Sequence, residues 1–237
     1  VTIEGTALRG SGNEVATVTL AGIEATEITS ESDTAVEVVA AASDDGISVA
    51  CFNIGICRDS SAEDVVLTAD TGAVVTGENL FVYLEGGAIN DVEPSTGQGG
   101  TYVTISGSSL LGGGTTVAVV EIGGADAAVV SGADSNSEIV VRAGQNSAGA
   151  GAVVVTSDTG ATVTLADAFT YIVEGQVTDV SPAAGQFGTS VTISGETLLG
   201  GGSSYNNVLL GGVSVLEISS GSDSDSEVVV RAGVSSD

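Results

Sequence analysis

Carboxylates are the side chains best placed to do chemistry in this sequence: 31 Asp and Glu stand against four basic residues, all arginine (Arg9, Arg58, Arg142, Arg231). They cluster in short polar segments, Glu31 with Asp33, Asp44 with Asp45, Asp134 with Glu138, and Asp223 and Asp225 with Glu227. Carboxylates at alternate residues can converge on a hard cation such as Ca²⁺, which takes about six to eight oxygen ligands. The Ser-Asp-Ser-Asp-Ser-Glu run at Ser222–Glu227 fits that pattern best, so Asp134, Glu138, Asp223, Asp225 and Glu227 are the calcium candidates. The glycine and loop spacing of an EF-hand are lacking, and a solvated polar turn is the competing reading. Paired carboxylates can also run glycoside hydrolysis, but nothing sets one pair apart here.

Other chemistries are excluded by composition. With 0 His and no Lys there is no Ser/His/Asp or Cys/His dyad, no imidazole zinc site, no Schiff-base lysine and no P-loop lysine. The reading is therefore of a non-enzyme, with no resident cofactor apart from Ca²⁺. A formal net charge of -27 repels phosphate backbones, and four arginines cannot form the basic stripe that nucleic-acid binding needs. DNA, RNA and anionic membranes are poor partners on this count.

Cys51 and Cys57 flank Phe-Asn-Ile-Gly-Ile, and no further Cys or His completes a metal set. A local disulfide is the expected state in an oxidising compartment, removing roughly 2 kcal/mol of loop entropy. A segment that is cross-linked and carries Phe52, Ile54 and Ile56 is also a candidate contact surface, against the plainer reading of a decorated loop.

The elements that position these groups repeat along the chain. The run from Ile89 to Gly99 returns from Val177 to Phe187, a spacing of 88 that also relates Val103 to Val191, Phe81 and Tyr83 to Phe169 and Tyr171, and Asp70-Thr71-Gly72 to Asp158-Thr159-Gly160. Val1 opens an earlier copy 102 residues before Val103, so that copy carries about 14 extra residues, located in the stretch with the two cysteines. Segments such as VTIEG, ATVTLAG, VTISG, EIVVRAG and AFTYIV are short, rich in Val, Ile and Thr, and bounded by glycine. They read as strands, and no window shows a sustained helical period. Seven or so such strands per copy predict an all-β fold of tandem β-sandwiches. Mean hydropathy of +0.40 argues against disorder, and no apolar stretch approaches the roughly 20 residues of a membrane helix.

Val177–Gly200, VTDVSPAAGQFGTSVTISGETLLG, resembles the opening of an IPT/TIG domain, and Ile89–Gly112 fits equally well. The Gly-Gly pairs at Gly123-Gly124 and Gly211-Gly212 and the closing AFTYI at Ala168–Ile172 agree. The resemblance implies tandem immunoglobulin-like sandwiches arranged as a rod: residues 1–87 lacking a first strand and carrying the insertion at about 44–64, a complete domain at 88–175, and residues 176–237 lacking the last strands. It also implies a spread of roles, from receptor ectodomains and surface arrays to modules of secreted carbohydrate enzymes. Fold is thus better specified than function.

Two missing strands would remove buried side chains whose loss is on the order of 10 kcal/mol, comparable to the stability of a whole domain. With 0 Met, the sequence also does not open on an ordinary initiator. Together these lead to the expectation of a section of something longer or assembled, closed by continuing chain or by strand addition and head-to-tail docking. The function expected is an extracellular, cell-surface structural or adhesive repeat protein, a filament section that self-associates, its short linkers near Gly86-Gly87 and Glu174-Gly175 setting orientation. The alternative is a spacer or ligand-binding module of a larger secreted enzyme or receptor ectodomain, with a protein or glycan ligand.

Overall fold

The computed structural model describes residues 1–42 and 62–234, and every regular element there is a strand. Residues 1–86 form one compact unit and residues 87–237 a second. The first unit contains β1 (Thr2–Glu4), β2 (Val15–Leu20), β3 (Ile23–Glu24), β4 (Glu27–Glu31), β5 (Ala35–Val39), β6 (Glu63–Ala69) and β7 (Val74–Phe81). They make two sheets, β1-β5-β4 and β3-β2-β6-β7. Between the sheets lie Leu8, Val18, Leu20, Val36, Val38 and Leu67.

The second unit opens with a fuller sandwich: β8 (Ala88–Glu93), β9 (Thr96–Gly97), β10 (Tyr102–Ser108), β11 (Val117–Ile122), β12 (Ala125–Ser131), β13 (Glu138–Arg142), β14 (Gly149–Ser157) and β15 (Thr162–Tyr171). The order β8-β10-β13-β12 continues through the β11–β12 hairpin into β11-β14-β15-β9. Strand alternation accounts for the core: Val103 and Ile105 of β10 are fully buried while Thr104 and Ser106, which alternate with them, are not. Phe169 and Tyr171 point inward from β15 and meet edge to face at 5.0 Å.

The third domain has β16 (Gln176–Ser181), β17 (Ser190–Glu196), β18 (Leu209–Leu210), β19 (Val213–Ser214), β20 (Glu217–Ser220) and β21 (Glu227–Arg231). They form a β16-β17-β21-β20 sheet and a β18–β19 hairpin, with Val191, Ile193, Val228 and Val230 as the small core. The 88-residue register holds as far as Gly211-Gly212 and then becomes 89. Gly132 and Gly221 sit in the same place, each with its Cα turned to the carbonyl of the glutamate that opens β13 or β21. One extra residue in the segment 213–221 accounts for the shift.

One turn recurs in all three domains. Ala7–Gly12, Ser109–Gly114 and Thr197–Gly202 each begin on a residue in the left-handed region (φ 54°, 48° and 51°). Each closes with two backbone hydrogen bonds of 2.7–3.0 Å, from Gly10, Gly112 and Gly200 to Ala7, Ser109 and Thr197, and from Gly12, Gly114 and Gly202 to Arg9, Leu111 and Leu199.

Candidate functional site

One of the predicted calcium ligands, Asp225, is built into that turn. Asp225 accepts the Leu199 backbone N–H on Oδ1 at 2.8 Å, and its own carbonyl accepts from Leu198 at 2.9 Å. Asn136 does the same in the middle domain, for Leu111 and Leu110, each at 3.1 Å. Asp33 repeats it in the first, taking Arg9 N–H on Oδ1 at 3.3 Å and Leu8 N–H on its carbonyl at 3.1 Å. An uncharged amide fills the role as well as a carboxylate, so the shared function of the position is to clamp the turn.

The serine beside each clamp closes the next bend. Ser135 Oγ accepts from Ser137 and Glu138 N–H at 3.2 and 3.0 Å, and Ser224 Oγ from Ser226 and Glu227 at 3.3 and 3.1 Å. Glu138 and Glu227 then start β13 and β21, opposite Ser106 and Ser194. The carboxylates of Asp134 and Asp223 hold no hydrogen bond among the described residues, where no group of three metal-capable side chains comes together either. The sequence singled out the acids of this segment and passed over Asn136, which lies 25 residues after Leu111 where Asp225 lies 26 after Leu199, so the one-residue shift in the register hid the equivalence.

A second clamp received no role in the sequence reading. Asp158, in the turn after β14, accepts the Thr115 backbone N–H at 2.9 Å and the Thr115 hydroxyl at 2.6 Å. These bonds, the hydroxyl first, hold its carboxyl below the usual aspartate range. Asp70 makes the matching bonds to Asn13, at 3.0 Å to the backbone and 3.3 Å to the side-chain amide. Cys51, Cys57, Phe52, Ile54 and Ile56, with Asp44 and Asp45, lie outside the described residues.

Several exposed apolar side chains belong to the third domain. Ile89 and Val92 of β8 are each 5% exposed, in a core that includes β14 and β15 side chains. Their counterparts on β16, Val177 and Val180, are 57% and 36% exposed. A cavity of about 560 Å³ runs past Val180, the Ala183–Phe187 segment and the β18–β19 hairpin. In the middle domain the matching edge is paired: Thr170 N–H donates to Ser95 and Ile172 N–H to Gly97, each at 2.8 Å, as β15 runs parallel to β9. Phe187, 58% exposed, and Leu209, 54% exposed, add to the open face.

The IPT/TIG domain profile matches residues 88–171 and 176–236, more than half of the chain. The chain belongs to the IPT/TIG domain family. Similar solved structures include the full extracellular region of plexin A4, at 17% identity and TM-score 0.45, covering 98% of this chain and 19% of that one. Another is SGBP-B of the Bacteroides ovatus mixed-linkage glucan utilization locus in complex with a mixed-linkage heptasaccharide, at 18% identity and TM-score 0.30, covering 93% and 51%. The titin I9–I11 tandem follows at 10% identity and TM-score 0.28, covering 98% and 83%. This chain thus spans about a fifth of the plexin structure and about half of the SGBP-B one. No curated protein sequence matches it.

As expected for the IPT/TIG family, the architecture is immunoglobulin-like and all-β, with the sandwich repeated in tandem. Among the described residues no helix is long and apolar enough to cross a membrane.

Proposed function

We propose that the chain is an extracellular structural and adhesive protein, a section of a cell-surface filament whose IPT/TIG sandwiches join head to tail through sandwich contacts or strand addition. The observation that supports this reading is the IPT/TIG sandwich repeated in tandem, with Val177, Phe187 and Leu209 exposed on the third domain. Exposed apolar sheet of that kind is a template for another strand. The charge of -27 keeps dispersed chains apart, so added salt or divalent cation promotes association.

Negative-stain microscopy of native material tests the proposal. Filaments that lengthen with ionic strength are expected, and smooth monodisperse particles under all salt and EDTA conditions contradict it. The same 560 Å³ cavity supports a second reading, a ligand-binding or spacer module beside an enzyme or receptor domain. That reading expects monomers that retain a polysaccharide or a protein ligand on a column.

A further inference from the structure

Gly200 and Gly201 take left-handed backbone (φ 57° and 89°) as Gly112 and Gly113 do (φ 50° and 89°), and in the third domain this turn also meets another domain. In the first two domains the third residue after the turn's start faces its own domain: a methyl group built on Gly10 or Gly112 would meet Ala73 Cβ at 2.8 Å or Ala161 Cβ at 2.7 Å. In the third domain the same position faces the domain before it. A methyl group on Gly200 would lie 2.9 Å from Gln98 Cδ and Nε2, and one on Gly201 would lie 3.2 Å from Ile172 Cδ1 and 3.5 Å from Gly97 Cα. The bare backbone of the turn is pressed onto the end of the middle sandwich, and a side chain at 200 would have to displace the Gln98 amide.

Gln98 also holds the linker. Its Oε1 accepts the Gly175 backbone N–H at 2.8 Å, one residue before β16, while Ile172 N–H at the other end of the linker is bonded to Gly97. Gly175 in turn lies flat on the turn, since a methyl group there would come 2.4 Å from Thr197 O. One side chain therefore touches the glycine turn and bonds the chain that enters the domain.

We infer that Gln98 is the lock that fixes the third domain on the middle one, and that the Gly200-Gly201 pair is the key it receives. The inference gives the repeat array its local stiffness, so its purpose rests on the array reading, but the lock itself is a property of a single chain.

The third domain supplies an internal control. Gln98 N–H donates to Thr101 Oγ1 and Thr101 N–H returns to Gln98 O, both at 3.1 Å. At Gln186, 88 residues on, the same two bonds with Thr189 measure 3.0 Å. The Gln186 loop is folded identically with its side chain exposed. The loop thus takes the same shape where its glutamine side chain bonds none of the described residues, so docking orders little beyond the glutamine side chain itself.

Amide exchange of the whole chain at dilute, monomeric concentration tests the lock. Gln98→Ala is expected to speed exchange at Gly175 at least tenfold, while Gln98→Glu, which keeps an acceptor oxygen, holds it near the wild-type rate, and Gln186→Ala leaves it unchanged. Gly200→Val is expected to separate the rotational correlation times of the middle and third domains, with Phe169 and Tyr171 resonances unmoved as proof that the middle core is intact. Equal Gly175 exchange in wild type and Gln98→Ala, or a single correlation time in Gly200→Val, overturns the inference. Failure to form filaments would sink the array reading and leave these rates untouched.

Discussion

Gly107 faces the carbonyl of Ala88 so closely that a methyl group on its Cα would sit 2.1 Å from that oxygen and 2.6 Å from Leu110 Cδ2. The contact lies where β10 shifts register against β8. Gly195 repeats it against Gln176 O at 2.2 Å. A backbone oxygen cannot swing aside, so Gly107→Ala must push β8 away and is expected to destabilise the middle domain by about 1–3 kcal/mol. Gly99→Ala is the contrast. Its methyl would meet the side-chain amide of Gln145, Cδ at 2.5 Å and Nε2 at 2.9 Å, the end of an exposed and flexible side chain, and should cost less than about 0.5 kcal/mol. Urea unfolding of both variants checks this: a lower midpoint with unchanged slope for Gly107→Ala, and superimposable curves for Gly99→Ala.

The Asp158–Thr115 clamp makes a prediction about acid. Because the hydroxyl and amide of Thr115 favour the ionised carboxylate, the folded pKa lies below the unfolded one. The stabilisation is therefore complete above the ordinary aspartate value and fades as pH falls through the lower, folded pKa. Thr115→Val removes the hydroxyl bond and keeps the backbone bond, so the Asp158 carboxyl should titrate closer to an ordinary aspartate. A ¹³C-detected titration of that carboxyl reads the change, and an unshifted midpoint would show that the hydroxyl contributes nothing.

Much of this architecture is legible in the sequence, for physical reasons. Val-Thr-Ile-Ser-Gly predicts its own strand because Val103 and Ile105 alternate with polar residues, and the glycine marks where the next strand comes too close for a side chain. Phe169 and Tyr171 announce a buried pair by their spacing of two. What stays hidden depends on partners far along the chain. Asp158 carries no sign that Thr115 will meet it 43 residues away, and Gln98 none that Gly175 lies 77 residues ahead. Acid clustering drew attention to Asp225 as a metal ligand, whereas its equivalence to Asn136 appears only once the one-residue shift in the register is seen.

Tyr171 is buried, and its hydroxyl finds no hydrogen-bond partner among the described residues. Burial raises its pKa, since the phenolate is the form that loses most on leaving water. The unfolded chain then releases this proton first as pH climbs past about 10, so the folded state loses stability in that range and not below it. Tyr171→Phe deletes an unpartnered polar atom and keeps the ring against Phe169. It is expected to leave stability at neutral pH unchanged or raised by up to about 1 kcal/mol, and to flatten the alkaline fall. Melting temperature measured from about pH 8 to 11 for both proteins tests the two parts together, and a destabilised variant at pH 8 would reveal a partner for the hydroxyl.

Asp225 separates a turn clamp from a metal ligand by chemistry alone. Asparagine presents the same Oδ1 to Leu199 N–H, as Asn136 already does to Leu111, but it is a far poorer ligand for Ca²⁺. If the clamp is the role, Asp225→Asn keeps wild-type stability, while Asp225→Ala leaves Leu198 N–H on the backbone carbonyl but deprives Leu199 N–H of its acceptor and loses about 1 kcal/mol, the usual worth of a cap-like side chain. If the acids of Ser222–Glu227 hold calcium, Asp225→Asn instead abolishes any Ca²⁺-dependent rise in melting temperature that the wild type shows. Thermal unfolding of the three proteins in EDTA and in millimolar Ca²⁺ decides between them. The clamp predicts superimposed curves for wild type and Asn with Ala below them by the same amount in both solutions, because a hydrogen bond to a backbone amide does not depend on the cation.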